Sequence, residues 1–186
     1  MGIETPKRFD PFTDRTARDI RNSLSESFVA ALAAMDPERY LNVARQLREQ
    51  HISPLHTEYI ADRLRRYNRV FSAIRQEAID DPLRQSLLIW NQALFFEFHD
   101  HLEALWQAAT GDQRQALKGL IKAAGVYIHL EQQHRRAAES LAMKSYQLLR
   151  QYSHCLTFIA NYETLLEKLK SGDLTPPRLN ILPGED

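Results

Sequence analysis

The residues best equipped for chemistry fall in two short stretches. Glu97, His99, Asp100 and Glu103 lie within seven residues, and Arg114, Lys118, Lys122 and His129 follow at spacings of four, four and seven. At about 100° per residue, His99, Asp100 and Glu103 share one face of a helix, spanning an arc of about 100°. Glu97 lies further round, nearer His101. A carboxylate beside an imidazole can act as a base or ligate a cation, and Lys or Arg opposite it can hold an oxyanion or phosphate. If the two stretches form an antiparallel hairpin about the turn Ala109-Thr110-Gly111-Asp112, residues equidistant from the turn face each other. Glu103 then falls near Lys118, and His99 and Asp100 near Lys122.

Three readings of this cluster follow. A structural polar network is favoured, because a buried carboxylate must be paired and the two stripes compensate each other. A metal would use His99, Glu103 and His129, since His99 and Glu103 have the i,i+4 ligand spacing. The lysines compete with a cation for the same oxygens, and only one Glu-x-x-His (Glu131 to His134) is present where a di-iron bundle needs two. No cofactor is therefore called for. The third reading is a pocket for a metal or small anion with hydrolysis as its reaction: Glu103 or Asp100 as base, His99 and His129 as proton carriers, Lys122 and Arg114 as anion contacts.

The run Glu97-Phe98-His99-Asp100-His101-Leu102-Glu103-Ala104-Leu105-Trp106 resembles the signature E-x-H-E-x-x-E-x-x-W of the prokaryotic family called domain of unknown function 309. Arg114, the segment Leu117-Lys118-Gly119-Leu120-Ile121-Lys122 and His129 continue the pattern, so the resemblance extends over roughly 88–170. It implies an all-helical fold and no particular reaction, because the family has no established activity. Asp100 stands where the family usually has Glu, Lys118 and Lys122 where it usually has Gln, and the first 80 residues lie outside the pattern.

The elements that must position these residues are helices. Between residues 12 and 175 the only prolines are Pro37, Pro54 and Pro82, each preceded by Asp or Ser, as at the first turn of a helix. Helices are expected at 14–35, 37–51, 54–79, 82–109, 112–133, 135–153 and 161–171, with Asp112 capping the fifth. The 82–109 stretch is apolar on nearly every side, which predicts a central helix. Ile60, Leu64, Tyr67, Phe71, Ile74 and Ala78 form a long stripe, and no stretch alternates with the period of a strand. The predicted fold is all-α, a single compact bundle of six to seven helices. Residues 14–80 pack on an 82–171 core, the joints at 52–54 and 80–82 being too short for flexible linkers, and 173–186 form an extended tail across the helices.

Composition narrows the classes of function. The 24 Lys and Arg residues balance 24 Asp and Glu, so no nucleic-acid partner held by bulk charge is expected. Arg65, Arg66 and Arg69 read as a solvated face. A single cysteine, Cys155, excludes a disulfide framework and reads as a small buried hydrophobe. Gly119 and Gly125 fall inside a helix and suit close packing rather than phosphate binding. No signal peptide or membrane span is evident, which points to the cytoplasm. The favoured function is a non-catalytic structural or interaction role, with the N-terminal helices offering a surface to a second copy or a protein partner.

Overall fold

The structure, a computed structural model, describes residues 8–50, 52–173 and 175–182. Among these residues there are eight α-helices, one 3₁₀ turn and no strand beyond a single isolated bridge. The fold is all-α. The chain divides into two compact units, one ending at Phe71 and the other beginning at Ser72.

The first unit is built on α1 (Arg15–Ala34), α2 (Glu38–Glu49) and most of α3 (Pro54–Glu77). The Asp14 carboxylate caps α1 by accepting from Thr16 N at 2.8 Å and Ala17 N at 3.2 Å, satisfying amides that have no partner inside the helix. Asp36 does the same for Glu38 N at the start of α2. The core is aromatic. Phe28 stacks on Tyr67 at 4.1 Å, and Tyr40 meets Tyr67 edge-on at 5.3 Å. Ile60, Tyr67 and Phe71, half of the predicted α3 stripe, are buried here, with Tyr67 and Phe71 against Phe28 of α1 and Tyr40 of α2. The opposite face carries Arg65 and Arg66, both paired with Asp62, as a solvated face should.

The second unit contains α4 (Pro82–Asn91), α5 (Phe95–Ala108), α6 (Gly111–Glu131), α7 (Arg135–Gln151), the 3₁₀ turn Ser153–Cys155 and α8 (Tyr162–Ser171). Helix α6 packs on both α5 and α7, and α8 closes on α7. Asp81 caps α4 at Leu83 N with Pro82 in the first turn, as expected.

The predicted 82–109 helix is two helices, which raises the count from seven to eight. At its break, Ala93 N donates to the Trp90 carbonyl and Leu94 N to the Ile89 carbonyl, with Ala93 left-handed at φ 52°. That is a Schellman ending without the glycine that usually announces one. The α6–α7 joint repeats it: Gln133, at φ 61°, donates to Leu130 O and His134 to His129 O.

Helix contact inside this unit depends on Gly119. A Cβ built there would lie 2.8 Å from Leu149 Cδ2 and 3.2 Å from Leu148 Cβ. The Gly119 carbonyl accepts from Ser145 Oγ at 2.8 Å, so α7 touches the backbone of α6 directly.

The chain beyond α8 lies across the helices through paired amide contacts. Asn91 donates to Leu179 O at 2.7 Å and accepts from Leu179 N at 2.8 Å. Asn161 holds Arg178 O and Asn180 N in the same way, and Trp90 Nε1 donates to Pro177 O. Leu179 is thereby buried. The expected irregular ends at 1–7 and 183–186 lie outside the described residues, as does His51 at the end of the second expected helix.

Candidate functional site

Helix α5 carries both a buried and an open set of polar side chains. On its inner side Glu97 has no solvent exposure, and His101 is 7 % exposed. The His101 ring meets the Pro82 carbonyl through Nε2 at 2.9 Å. A carbonyl only accepts, so Nε2 carries the proton. Burial holds the His101 pKa below its ordinary value, against the opposing pull of that hydrogen bond, and the ring is neutral near pH 7.

On the outer side His99, Asp100 and Glu103 converge. His99 Nδ1 lies 3.3 Å from Asp100 Oδ1 and 3.9 Å from Glu103 Oε2. One ligand atom from each residue falls within 4.8 Å of the others. The three side chains are 33 %, 24 % and 47 % exposed, so the group opens to solvent rather than lying sealed. The Phe96 ring lies nearly parallel to that of His99, with centroids 6.3 Å apart.

The basic residues do not close over this group. The Arg114 guanidinium lies 4.2 Å above the Trp106 ring, and its Nη1 donates to Ala109 O at 3.4 Å. It ties the end of α5 to the start of α6, where a cation also suits the negative end of the α5 dipole. Among the described residues neither Lys118 nor Lys122 forms an ion pair; Lys118 is exposed and Lys122 half-buried. His129 sits at the end of α6 with its ring 5.7 Å from that of His134. Burial and then the charge of His134 lower its pKa. The sequence thus brings His99, Asp100 and Glu103 together, but the structure assigns Arg114 and His129 to other neighbours.

Asp112 is not the cap of α6. Thr110 holds that position without a side-chain bond. The Asp112 carboxylate instead meets His154 Nε2 at 3.2 Å. Cys155, expected in the core, is half-buried at the end of the 3₁₀ turn.

Residues 83–141 match DUF309, a domain of unknown function. The DUF309 match covers α4, α5, α6 and the first turns of α7. It starts slightly before the expected 88 and stops well short of 170. No curated protein and no solved structure matches the chain. No helix of the described residues is long and apolar enough to cross a membrane.

Several polar constellations had no signal in the sequence. His134 meets His129 because the α6–α7 joint turns the chain back on itself. In the first unit, His56 Nε2 meets Asp14 Oδ2 at 3.2 Å, Phe9 stacks on Tyr59 at 3.6 Å, and the buried Arg63 covers Tyr59 at 4.7 Å. Glu163, Glu167 and Lys170 of α8 line a groove with α7. Helical spacing could have grouped those α8 residues, but not their α7 partners.

Proposed function

We propose that this chain is a non-catalytic helical protein whose DUF309 segment is a scaffold that works through its surfaces. The observation that carries this reading is the position of Arg114. A hydrolytic anion pocket needs its cation turned toward the base and substrate, and here the guanidinium covers Trp106. Glu97 is likewise buried, His101 is bonded to the Pro82 carbonyl, and Gly119 is packed against Leu149. The test is an assay of the purified full chain against esterase, phosphatase and phosphodiesterase substrates, with and without Zn²⁺, Mn²⁺ and Mg²⁺. We expect no turnover that depends on the motif. Turnover abolished in the double variant His99→Ala, Glu103→Ala would overturn the proposal.

A second reading is favoured by one observation, the convergence of donors from His99, Asp100 and Glu103. One imidazole and two carboxylates suit borderline Zn²⁺ or the harder Mn²⁺, with water completing the shell. All three donors come from one helix, so the affinity expected is modest. Calorimetric titration of untagged protein with Zn²⁺ checks it. Heat that disappears in His99→Ala supports a cation role; a flat titration, or one unchanged by that substitution, removes it.

A further inference from the structure

The groove between α7 and α8 in the second unit is lined by residues that lie beyond the 83–141 match. It has a volume of about 430 Å³ and is lined by Tyr146 and Arg150 from α7 with Glu163, Leu166, Glu167 and Lys170 from α8. Its walls are fixed. The Tyr162 hydroxyl donates to the Leu149 carbonyl, and Leu165 and Leu169 bury the underside of α8. Leu166, 8 % exposed, gives the groove an apolar patch.

Two cations and two carboxylates share this groove, yet among the described residues none of the four forms an ion pair. Each keeps its charge available. A ligand with charges of one sign only would gain two attractions and suffer two repulsions. A ligand with one charge of each sign gains from both, and the apolar patch and tyrosine ring accept a short aliphatic part. The volume accommodates a molecule of roughly dipeptide size. We infer that the α7–α8 groove binds a small zwitterion of the amino-acid class, its carboxylate toward Arg150 or Lys170 and its ammonium toward Glu163 or Glu167.

Length-matched probes test this on the full chain. Backbone amide shifts are followed by NMR during titration with 5-aminopentanoate, with glutarate, with pentane-1,5-diamine, and with glycyl-leucine. The expected result is saturable shifts at Tyr146–Arg150 and Glu163–Lys170 with 5-aminopentanoate and glycyl-leucine, and much weaker ones with the dianion and the dication. Arg150→Gln and Glu167→Gln, both at exposed positions, should each weaken binding about fivefold, the upper range for one exposed charge contact, with the remaining spectrum unchanged. No saturable shift, equal response to glutarate or the diamine, or indifference to both substitutions would overturn the inference. It stands independently of the proposed scaffold role, since neither assay above touches these residues.

Discussion

The two sides of α5 carry residues of the same chemical types and use them differently. On the inner side Glu97 and His101 are sealed, and Trp106 and Arg114 lock the turn into α6. On the outer side His99, Asp100 and Glu103 stand open to water with their polar atoms together. Residues of identical chemical type, Glu97 and Glu103 or His101 and His99, thus perform interior and surface roles on different sides of one helix. A signature rich in Glu and His is not by itself a reaction. The inner side predicts large effects on stability and the outer side small ones.

The largest effect should come from Gly119, where α7 lies against the backbone of α6. Gly119→Val adds a branched side chain into space already filled by Leu149, which has no exposure. Overpacking of this kind costs about 3 kcal/mol, more than valine recovers in helix propensity. Gly125 is the internal control. A Cβ there would meet only Leu141 Cδ1, at 3.3 Å, so Gly125→Ala should be neutral or stabilise by up to about 1 kcal/mol. Urea denaturation of both variants reads the difference. Equal behaviour of the two glycines would remove the close-contact account of the motif.

The next effect is a pH dependence from His101. Its folded pKa lies below the unfolded value because burial disfavours the imidazolium. As pH falls through the unfolded value of about 6.5, the unfolded chain takes up a proton that the folded chain refuses. Stability therefore falls with acidification below that point, by up to about 1.4 kcal/mol per pH unit for one such group. His129, also lowered, contributes in the same direction. In His101→Gln the amide can still donate to Pro82 O, so the acid slope should become shallower while stability at pH 8 changes little. An unchanged slope between pH 6.5 and 5 would show that His101 takes up its proton as readily in the folded chain as in the unfolded one.

How much of this was legible can be judged at the two Schellman joints. Their backbones are alike, but only the one at Gln132-Gln133-His134 was placed correctly from sequence. There the helical pattern itself is interrupted by polar residues. At Gln92-Ala93-Leu94 the apolar pattern runs straight through, and alanine is the strongest helix former, so local propensity argued against the break that the tertiary structure imposes. The proline-marked starts of α2, α3 and α4 were visible because capping is local. Within the site, the His99–Asp100–Glu103 group was legible because one helix supplies all of it. Arg114 was misplaced because its choice between a carboxylate and the Trp106 face depends on where α6 leaves the turn, which spacing along a helix does not specify.

Arg114→Ala follows in size. It uncovers Trp106 and removes a half-exposed cation–π contact, and the expected loss is about 1 kcal/mol. Arg114→Lys should recover part of it, since an ammonium still attracts the ring but lacks the flat guanidinium surface. If thermal melts of the two variants coincide with the native protein, the clamp at the α5–α6 turn contributes nothing, and Arg114 becomes available to the anion-pocket reading.

The smallest expected effect is on the open side, and it is the most informative about function. His99, Asp100 and Glu103 are partly exposed, and their mutual contacts lie at 3.3 and 3.9 Å. Exposed pairs of this kind contribute little, so His99→Ala and Glu103→Ala should each shift stability by no more than about 0.5 kcal/mol. If the side chains were structural, as those on the inner face of α5 are, both substitutions would destabilise and the two sides of the helix would not differ after all. If they are surface groups, removing both leaves the melt unchanged in chelator. The melts in added Zn²⁺ then separate the remaining readings. A cation bound only by the folded chain raises the native melting temperature with concentration, whereas the double variant stays flat. A native melt that Zn²⁺ does not move leaves the group to contacts with other molecules.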